Sequence, residues 1–253
     1  MSILERFALN GKIAVVTGAS SGLGAVFAEA LAEAGADVAI TARRVDGLER
    51  TAARVRETGR RCAVIAADVT QPDDCERIVA STIEELGTPT ILVNNAGIAT
   101  AVPATRESPD DFRRVIDVNL MGAYWMAQSC GRVMQPGSSI INIGSILGLT
   151  SAQLPQAAYA SSKAGIIGLG RDLAQQWTGR KGIRVNTLAP GYFPSEMTDD
   201  LADGFLDRIV ERTPAGRLGD PWELAATVVF LASTAASYIS GVVLPVDGGL
   251  LTG

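Results

Sequence analysis

The chain has 253 residues, 47% of them hydrophobic and 19% charged, with a formal net charge of −5. That balance suits one large domain with a buried core, and the lack of any basic run excludes nucleic acid and an anionic membrane surface as partners. Histidine is absent, which removes Ser-His-Asp and Cys-His catalysis, histidine metal ligands and any histidine base.

Lys12 to Thr17 is a short apolar run rich in β-branched residues and reads as a buried strand. Gly18-Ala19-Ser20-Ser21-Gly22-Leu23-Gly24 follows directly, and Ala25 to Ala34 is an alanine-rich helix stopped by Gly35. Strand, glycine turn and helix is the context a dinucleotide requires. The glycines let the backbone approach a pyrophosphate, and the helix N-terminus offers free amides and a positive dipole end. The spacing is G-x-x-x-G-x-G rather than G-x-G-x-x-G. Asp37 to Thr41 is the second strand and closes a βαβ unit. In NAD sites an Asp or Glu at its end holds the adenosine ribose hydroxyls. Here that position is Ala42, followed by Arg43 and Arg44. Guanidinium groups without the carboxylate suit a 2′-phosphate, so NADP(H) is the preferred cofactor and NAD(H) the other option. The competing reading is two solvated arginines that open the next helix.

Asp46 to Thr58 is helical, Cys62 to Ala67 is a third strand ending at Asp68-Val69, and Pro72 leads a helix from Asp73 to Leu86. Thr90 to Val93 is the fourth strand and runs into Asn94-Asn95-Ala96-Gly97. Strands and helices alternate without linker or repeat, which predicts one doubly wound parallel sheet with ligands beyond the carboxyl ends of the strands. Asp68 and Asn94 lie at such ends, which puts Asn94 near the cofactor.

Pro109 to Arg132 reads as one long helix with Ser108 as N-cap. Asn119 is a poor helix former inside it. It is either a satisfied polar side chain at a helix interface or a residue that distorts the helix or holds water near the site. Ser138 to Gly144 is the fifth strand and delivers Ser145, read as a donor to a carbonyl oxygen. The loop from Ile146 to Gln156 offers Leu147, Leu149, Leu154 and Pro155 as apolar lining.

The next helix runs to about Gly179 and carries Tyr159 and Lys163, four residues apart and therefore on one face. An ammonium beside a phenol lowers its pKa from about 10, which makes Tyr159 a general acid or base. The bland alternative is a half-exposed helix on which the two fall at that spacing by chance. Gly182 to Leu188 is the sixth strand, ended by Ala189-Pro190-Gly191. Residues 192–214, broken at Pro194 and Pro214, read as a helical lid or an ordinary surface helix. Pro221 to Ala232 is the last helix and Val242 to Val246 the seventh strand. No apolar stretch is long enough to span a membrane, the first residues lack a signal-peptide pattern, and Cys62, Cys75 and Cys130 are scattered without CxxC spacing. A cytoplasmic protein with reduced thiols is expected.

TGASSGLG (Thr17–Gly24), Asp68, NNAG (Asn94–Gly97), Asn119, Ser145, Tyr159-x-x-x-Lys163 and Pro190-Gly191, in this order, resemble the short-chain dehydrogenase/reductase family over essentially the whole chain. The resemblance implies a single Rossmann domain over 1–253, α/β in class, with a seven-stranded parallel sheet and helices on both faces. It implies an enzyme that interconverts a ketone and a secondary alcohol by hydride transfer. Tyr159 would exchange a proton with the substrate oxygen, Lys163 would lower its pKa and bind the nicotinamide ribose, Ser145 would hydrogen-bond the carbonyl, and Asn119 would anchor a relay water. Gly18, Ser20, Gly22 and Leu23, with Ser21 and Gly24 in the same turn, would border the phosphates. Asp68 and Val69 would border the adenine, and Asn94 the adenosine-side ribose, with Asn95, Ala96 and Gly97 beside it. Pro190, Gly191, Phe193 and Ser195 would close on the nicotinamide. Ser195 stands where the family often has threonine, and Ser21 where many NADP-preferring members carry Lys or Arg, so the NADP(H) expectation rests on Arg43 and Arg44.

Two subgroups fit the last third. Thr213 to Gly219 is similar to 3-oxoacyl-carrier-protein reductases. Pro190-Gly191-Tyr192-Phe193, Glu196-Met197-Thr198 and Arg212-Thr213-Pro214 are similar to gluconate 5-dehydrogenases. The loop from Ile146 to Gln156 has no Arg or Lys for a sugar-acid carboxylate, which favours an acyl chain or plain ketone unless Arg106 or Arg212 swings in. A nucleotide-binding regulator without turnover is the reading from a different class, and the intact Asn119, Ser145, Tyr159 and Lys163 argue against it. The family's habit implies a homo-oligomer, dimer or tetramer, through the helices around Pro109–Arg132 and Ala157–Gly179. Trp125, Met126 and Trp177 would serve that contact or the core.

Overall fold

A computed structural model describes residues 2–151, 154–194 and 204–252. The apolar runs form seven strands: β1 (Ile13–Thr17), β2 (Asp37–Ala42), β3 (Cys62–Ala66), β4 (Ile91–Asn94), β5 (Ser139–Ile143), β6 (Arg184–Pro190) and β7 (Val243–Val246). Their order is β3-β2-β1-β4-β5-β6-β7 and every pair is parallel. β4, β5 and β6 are buried at each position, because helices cover both faces. Hence these strands read as continuous apolar runs rather than alternating ones. The strand order reverses between β1 and β4, which opens a crevice at their carboxyl ends.

The helices are α1 (Gly22–Glu33), α2 (Val45–Glu57), α3 (Pro72–Glu85), α4 (Pro109–Ile116), α5 (Gly122–Val133), α6 (Ala157–Lys181), α7 (Phe205–Arg212) and α8 (Pro221–Ala232). α1, α2 and α8 bury Phe27, Leu31, Leu48, Val55, Leu224 and Val228 in the core on one face of the sheet. α3, α5 and α6 bury Ile78, Met126, Cys130 and Leu173 on the other. Met126 is fully buried, and Trp125 and Trp177, partly buried, pack against the same core. Among the described residues no helix is long and apolar enough to cross a membrane.

Two expectations need correction. The segment from Pro109 is not one α-helix: a π-helical turn over Asp117–Met121 separates α4 from α5, and the Gly122 N–H donates back to the Asp117 carbonyl. Asn119 sits in that turn, fully buried. Its Nδ2 donates to the Ile98 carbonyl (2.9 Å) and Ser162 Oγ (3.0 Å), and its Oδ1 accepts from the Ile98 N–H (2.8 Å). The side chain is thus both satisfied at an interface and seated at a helix distortion. The second correction concerns α6, which continues past Gly179 to Lys181 and is stopped by Gly182 at φ 65°. Only a residue without Cβ takes that left-handed cap readily, so Gly182 ends the helix instead of starting the strand.

α6 lies close on the sheet because Gly170 has no side chain: a Cβ there would sit 2.6 Å from Thr187 Oγ1. Thr187 is stiff at χ1 and cannot swing away. Gly170→Ala should therefore lower stability by about 1–3 kcal/mol in urea unfolding. Gly168→Ala, on the same helix with nothing within 4 Å of the added carbon, should raise it by about 0.5–1 kcal/mol. Equal effects from the two would contradict this packing.

Candidate active site

A cavity of about 420 Å³ runs along the carboxyl ends of the strands, from the glycine turn after β1 to the segment after β6. It gathers Gly18, Ser20, Ser21, Gly22, Leu23, Gly24, Arg43, Arg44, Asp68, Val69, Asn95, Ala96, Gly97, Ser145, Tyr159, Lys163, Pro190, Gly191 and Phe193. Ser195 and the segment Glu196-Met197-Thr198 lie outside the described residues. Asn94 does not line the cavity, which corrects its expected place. Successive strand side chains point to opposite faces, and Asn94 points under the sheet, where its Nδ2 donates to the Ala123 carbonyl and Asn142 Oδ1 (both 3.0 Å).

At one end, Gly18 (φ 66°) and Gly22 (φ 53°) form the turn in a conformation that favours glycine. Thr17 Oγ1 accepts from the N–H groups of Asn95 and Ala96 (both 3.0 Å), and Asn95 Nδ2 donates to the carbonyls of Thr17 (3.0 Å) and Gly18 (3.2 Å). The loop after β4 is thereby tied to the glycine turn. The contact is close enough that a Cβ on Gly18 would lie 2.8 Å from Ala96 Cα. The sequence names Thr17 only as the last residue of the first strand and the first of the glycine motif, and its role in tying the two loops comes from the structure.

Ser21 precedes α1 but caps none of its amides with its side chain. Its hydroxyl accepts from the Arg44 guanidinium (2.8 Å), which also reaches Ser20 Oγ (3.5 Å). The first amides of α1 therefore open on the cavity as donors for an anion. Arg43 is exposed next to Arg44, and Ala42 supplies no carboxylate. These residues fit a dinucleotide carrying an additional phosphate. Asp68 faces the cavity with a carboxylate that accepts from the Thr70 N–H (3.0 Å).

In the middle, Ser145 follows β5 and opens a short 3₁₀ turn, Ile146–Gly148. Its Oγ accepts from the Leu147 N–H (3.1 Å) and shares a hydrogen bond with the Tyr159 side chain. Gly148 presses that turn onto α6: a Cβ there would lie 2.8 Å from the main-chain carbon of Lys163. Lys163 is 4% exposed. Its Nζ donates to the Ile143 carbonyl (2.8 Å) and stands 5.5 Å from the centre of the Tyr159 ring. A Cβ on Gly97 would lie 3.6 Å from this Nζ and 3.4 Å from Asn119 Oδ1, so the π turn abuts the same spot.

Burial pushes the Lys163 ammonium down to about 8. Burial also raises the Tyr159 phenol above its ordinary value, with the Ser145 hydrogen bond pulling the other way. The expected lowering by Lys163 is therefore not what this state shows. The ammonium faces the ring and the Ile143 carbonyl, and desolvation of the phenolate dominates.

At the far end the wall is Ile146, Leu147, Leu154, Gln156, Tyr192 and Phe193. Leu149 and Pro155 do not line it, and Leu149 is 45% exposed. Neither Arg106 nor Arg212 lines it either. Tyr192 meets Phe205 of α7 edge-on, ring centres 5.8 Å apart, so the described part of the 192–214 segment does stand beside the cavity. Among the described residues no cluster of acidic or cysteine side chains could hold a metal ion.

A family model described as Enoyl-(Acyl carrier protein) reductase matches residues 18–251. The chain is similar to the 3-oxoacyl-[acyl-carrier-protein] reductase FabG of Vibrio cholerae, 38% identical over 96% of this chain and 98% of the relative. It is similar to the galactitol 2-dehydrogenase (L-tagatose-forming) of Cereibacter sphaeroides, 42% identical over 96% of each. Among solved structures it resembles a gluconate 5-dehydrogenase from Burkholderia cenocepacia in complex with NADP and tartrate, with a TM-score of 0.92, 35% identity and 100% of both chains covered.

The contact at Gly148 gives a direct test of the site's assembly. Gly148→Ala should push the Ser145 turn off α6 and, since a displacement near 1 Å can cost about 10²-fold in rate, lower turnover by that order while the protein stays folded by circular dichroism. Unchanged turnover would show that Ser145 is positioned by something else.

Proposed function

The chain belongs to the short-chain dehydrogenase/reductase family, and we propose that it is an NADP(H)-preferring reductase of uncharged ketones with Tyr159 as its acid–base group. It is an oxidoreductase that acts on CH–OH groups and binds NADP(H). The observation that carries the proposal is the convergence of Ser145, Tyr159 and Lys163 in the same cavity that receives the uncapped start of α1.

A bound nicotinamide would supply or accept the hydride. The protein's part is position and charge. The Ser145 hydroxyl donates to the carbonyl oxygen, and the Tyr159 hydroxyl gives its proton to that oxygen as negative charge develops there. Lys163 has three donors, so it can keep the Ile143 carbonyl and still hold a ribose hydroxyl, while its charge offsets the phenolate left after proton transfer. The Asn119 side chain is committed to Ile98 and Ser162, so a relay water would rest on main-chain carbonyls loosened by the π turn. Gly18 to Gly24 would take the pyrophosphate, Arg43 and Arg44 the 2′-phosphate, and Asp68 and Val69 the adenine. Asn95, Ala96, Gly97, Pro190, Gly191 and Phe193 would border the rest.

The apolar wall of Ile146, Leu147 and Leu154 supports a 3-oxoacyl thioester or related carbonyl as substrate. A polyol is the second reading, favoured by the 42% identity to galactitol 2-dehydrogenase. A sugar acid fits less well, because among the described residues no Arg lines the substrate end. A cytoplasmic homo-oligomer, dimer or tetramer, completes the proposal, and light scattering giving a monomer mass would overturn that part.

Tyr159→Phe keeps the ring and removes the proton, so kcat/KM for ketone reduction should fall by about 10²–10⁴-fold while the Kd for NADPH stays close to wild type. Retained activity would remove Tyr159 from the mechanism. Replacing Arg43 and Arg44 together by Ala removes charge-assisted bonds worth about 1.5–3 kcal/mol each. NADPH affinity should then drop at least about tenfold, with NADH much less affected. Equal Kd values for the two cofactors in the unmodified protein would refute the NADP(H) preference.

A further inference from the structure

Among the described residues, three that line the cavity carry a buried polar side-chain atom without a partner: Thr41 Oγ1 at the α1 end, and two beyond Ser145 and Tyr159. The Tyr192 hydroxyl and the Gln156 side-chain oxygen are buried, belong to cavity-lining residues, and have no hydrogen-bond partner among the described residues. Each such orphan costs about 1–3 kcal/mol, so two at one end of an open cavity point to ligand atoms that complete them. Gln156 occupies the N-cap position of α6, three residues before Tyr159, and its side chain makes no capping bond there. Tyr192 is held by Phe205 against its ring and by the Gly219 N–H donating to its carbonyl (3.0 Å). Its hydroxyl lies within electrostatic range of Tyr159, and burial pushes it up to about 12, so it stays a neutral donor. The Tyr192 hydroxyl can donate to an uncharged oxygen, whereas Gln156 Oε1 accepts and is completed by a hydroxyl. The remaining wall is apolar, and among the described residues Lys163 is the cation that lines this end, while Arg212 lies within electrostatic range of Tyr192 without lining it.

Resting on the reading that Tyr159 and Ser145 take the reacting oxygen, we propose that Tyr192 and Gln156 form a second oxygen-recognition site. The substrates are then compounds with another uncharged oxygen close to the reacting carbon. The neighbouring hydroxyl of a polyol meets both groups, donating to Gln156 Oε1 and accepting from Tyr192, and the ester or thioester carbonyl of a 3-oxoacyl compound accepts from Tyr192 alone. Plain ketones lack such an oxygen, and in carboxylates it is charged.

The test compares ethyl acetoacetate, acetoin, 2-pentanone and acetoacetate as substrates with NADPH, in wild type, Tyr192→Phe and Gln156→Leu. Wild type should favour ethyl acetoacetate or acetoin over both 2-pentanone and acetoacetate by at least about tenfold in kcat/KM, equivalent to one hydrogen bond. Tyr192→Phe should lose about tenfold or more on that favoured compound, and Gln156→Leu on acetoin, mainly in KM, with much less effect on 2-pentanone. Whichever compound carries the loss identifies the carbonyl or the hydroxyl as the natural partner. Losses equal across all four compounds, or none, would overturn the proposal, as would acetoacetate matching its ester. Absence of turnover with either cofactor would refute the reductase reading instead. Calorimetric Kd values for ethyl acetoacetate and acetoin in the presence of NADPH then decide: weaker binding to Tyr192→Phe supports the second site, and equal binding refutes it.

Discussion

The site is built around a buried ammonium. Lys163 is 4% exposed, and among the described residues its hydrogen-bond partner is the Ile143 carbonyl, with no carboxylate in an ion pair with it. Taking such a charge out of water costs several kcal/mol, which shows as its pKa of about 8. The backbone closes around it at two positions without side chains. Gly148 lets the Ser145 turn lie on the main chain of Lys163, and Gly97 brings the loop after β4 within reach of Nζ. Tyr159 lies above the ammonium on the same helix face. Strand end, turn, π segment and helix are all fixed relative to this one charge.

Much of this was legible in the residues. The apolar runs became strands because helices bury both faces, and the glycine turn, Ser145, Tyr159 and Lys163 meet where their spacing placed them. What was not legible depended on three-dimensional surroundings. Asn119 reads as a weak point in a helix, but the π turn around it depends on Ile98 and Ser162, which are distant in sequence. Asn94 and Asn95 are neighbours of the same type, yet the pleat sends one under the sheet and the other to the glycine turn. The lowering of Tyr159 by Lys163 followed from their spacing alone, whereas the sign of the shift follows from desolvation, which no spacing reveals.

The two ends of the cavity solve different recognition problems. At the α1 end, main-chain amides, a helix dipole and two guanidinium groups await an anion, and glycines keep side chains out of the way. At the Tyr192 end the wall is apolar apart from neutral hydrogen-bonding groups. Between them stand Ser145, Tyr159 and Lys163, the groups suited to move a proton among the described residues that line the cavity. This polarity gradient separates a charged cofactor from an uncharged substrate and brings both to Tyr159.

The central claim is that the buried Lys163 charge supports proton donation by Tyr159, and the pH dependence of kcat/KM for ketone reduction tests it most directly. Lys163 is charged below about 8 and loses its proton as pH rises through that value, and reduction also consumes a proton from Tyr159. The account predicts a reduction rate that is level at neutral pH and declines through an inflection near 8, while alcohol oxidation rises over the same span. A reduction rate that stays level or climbs well above that pH would contradict it.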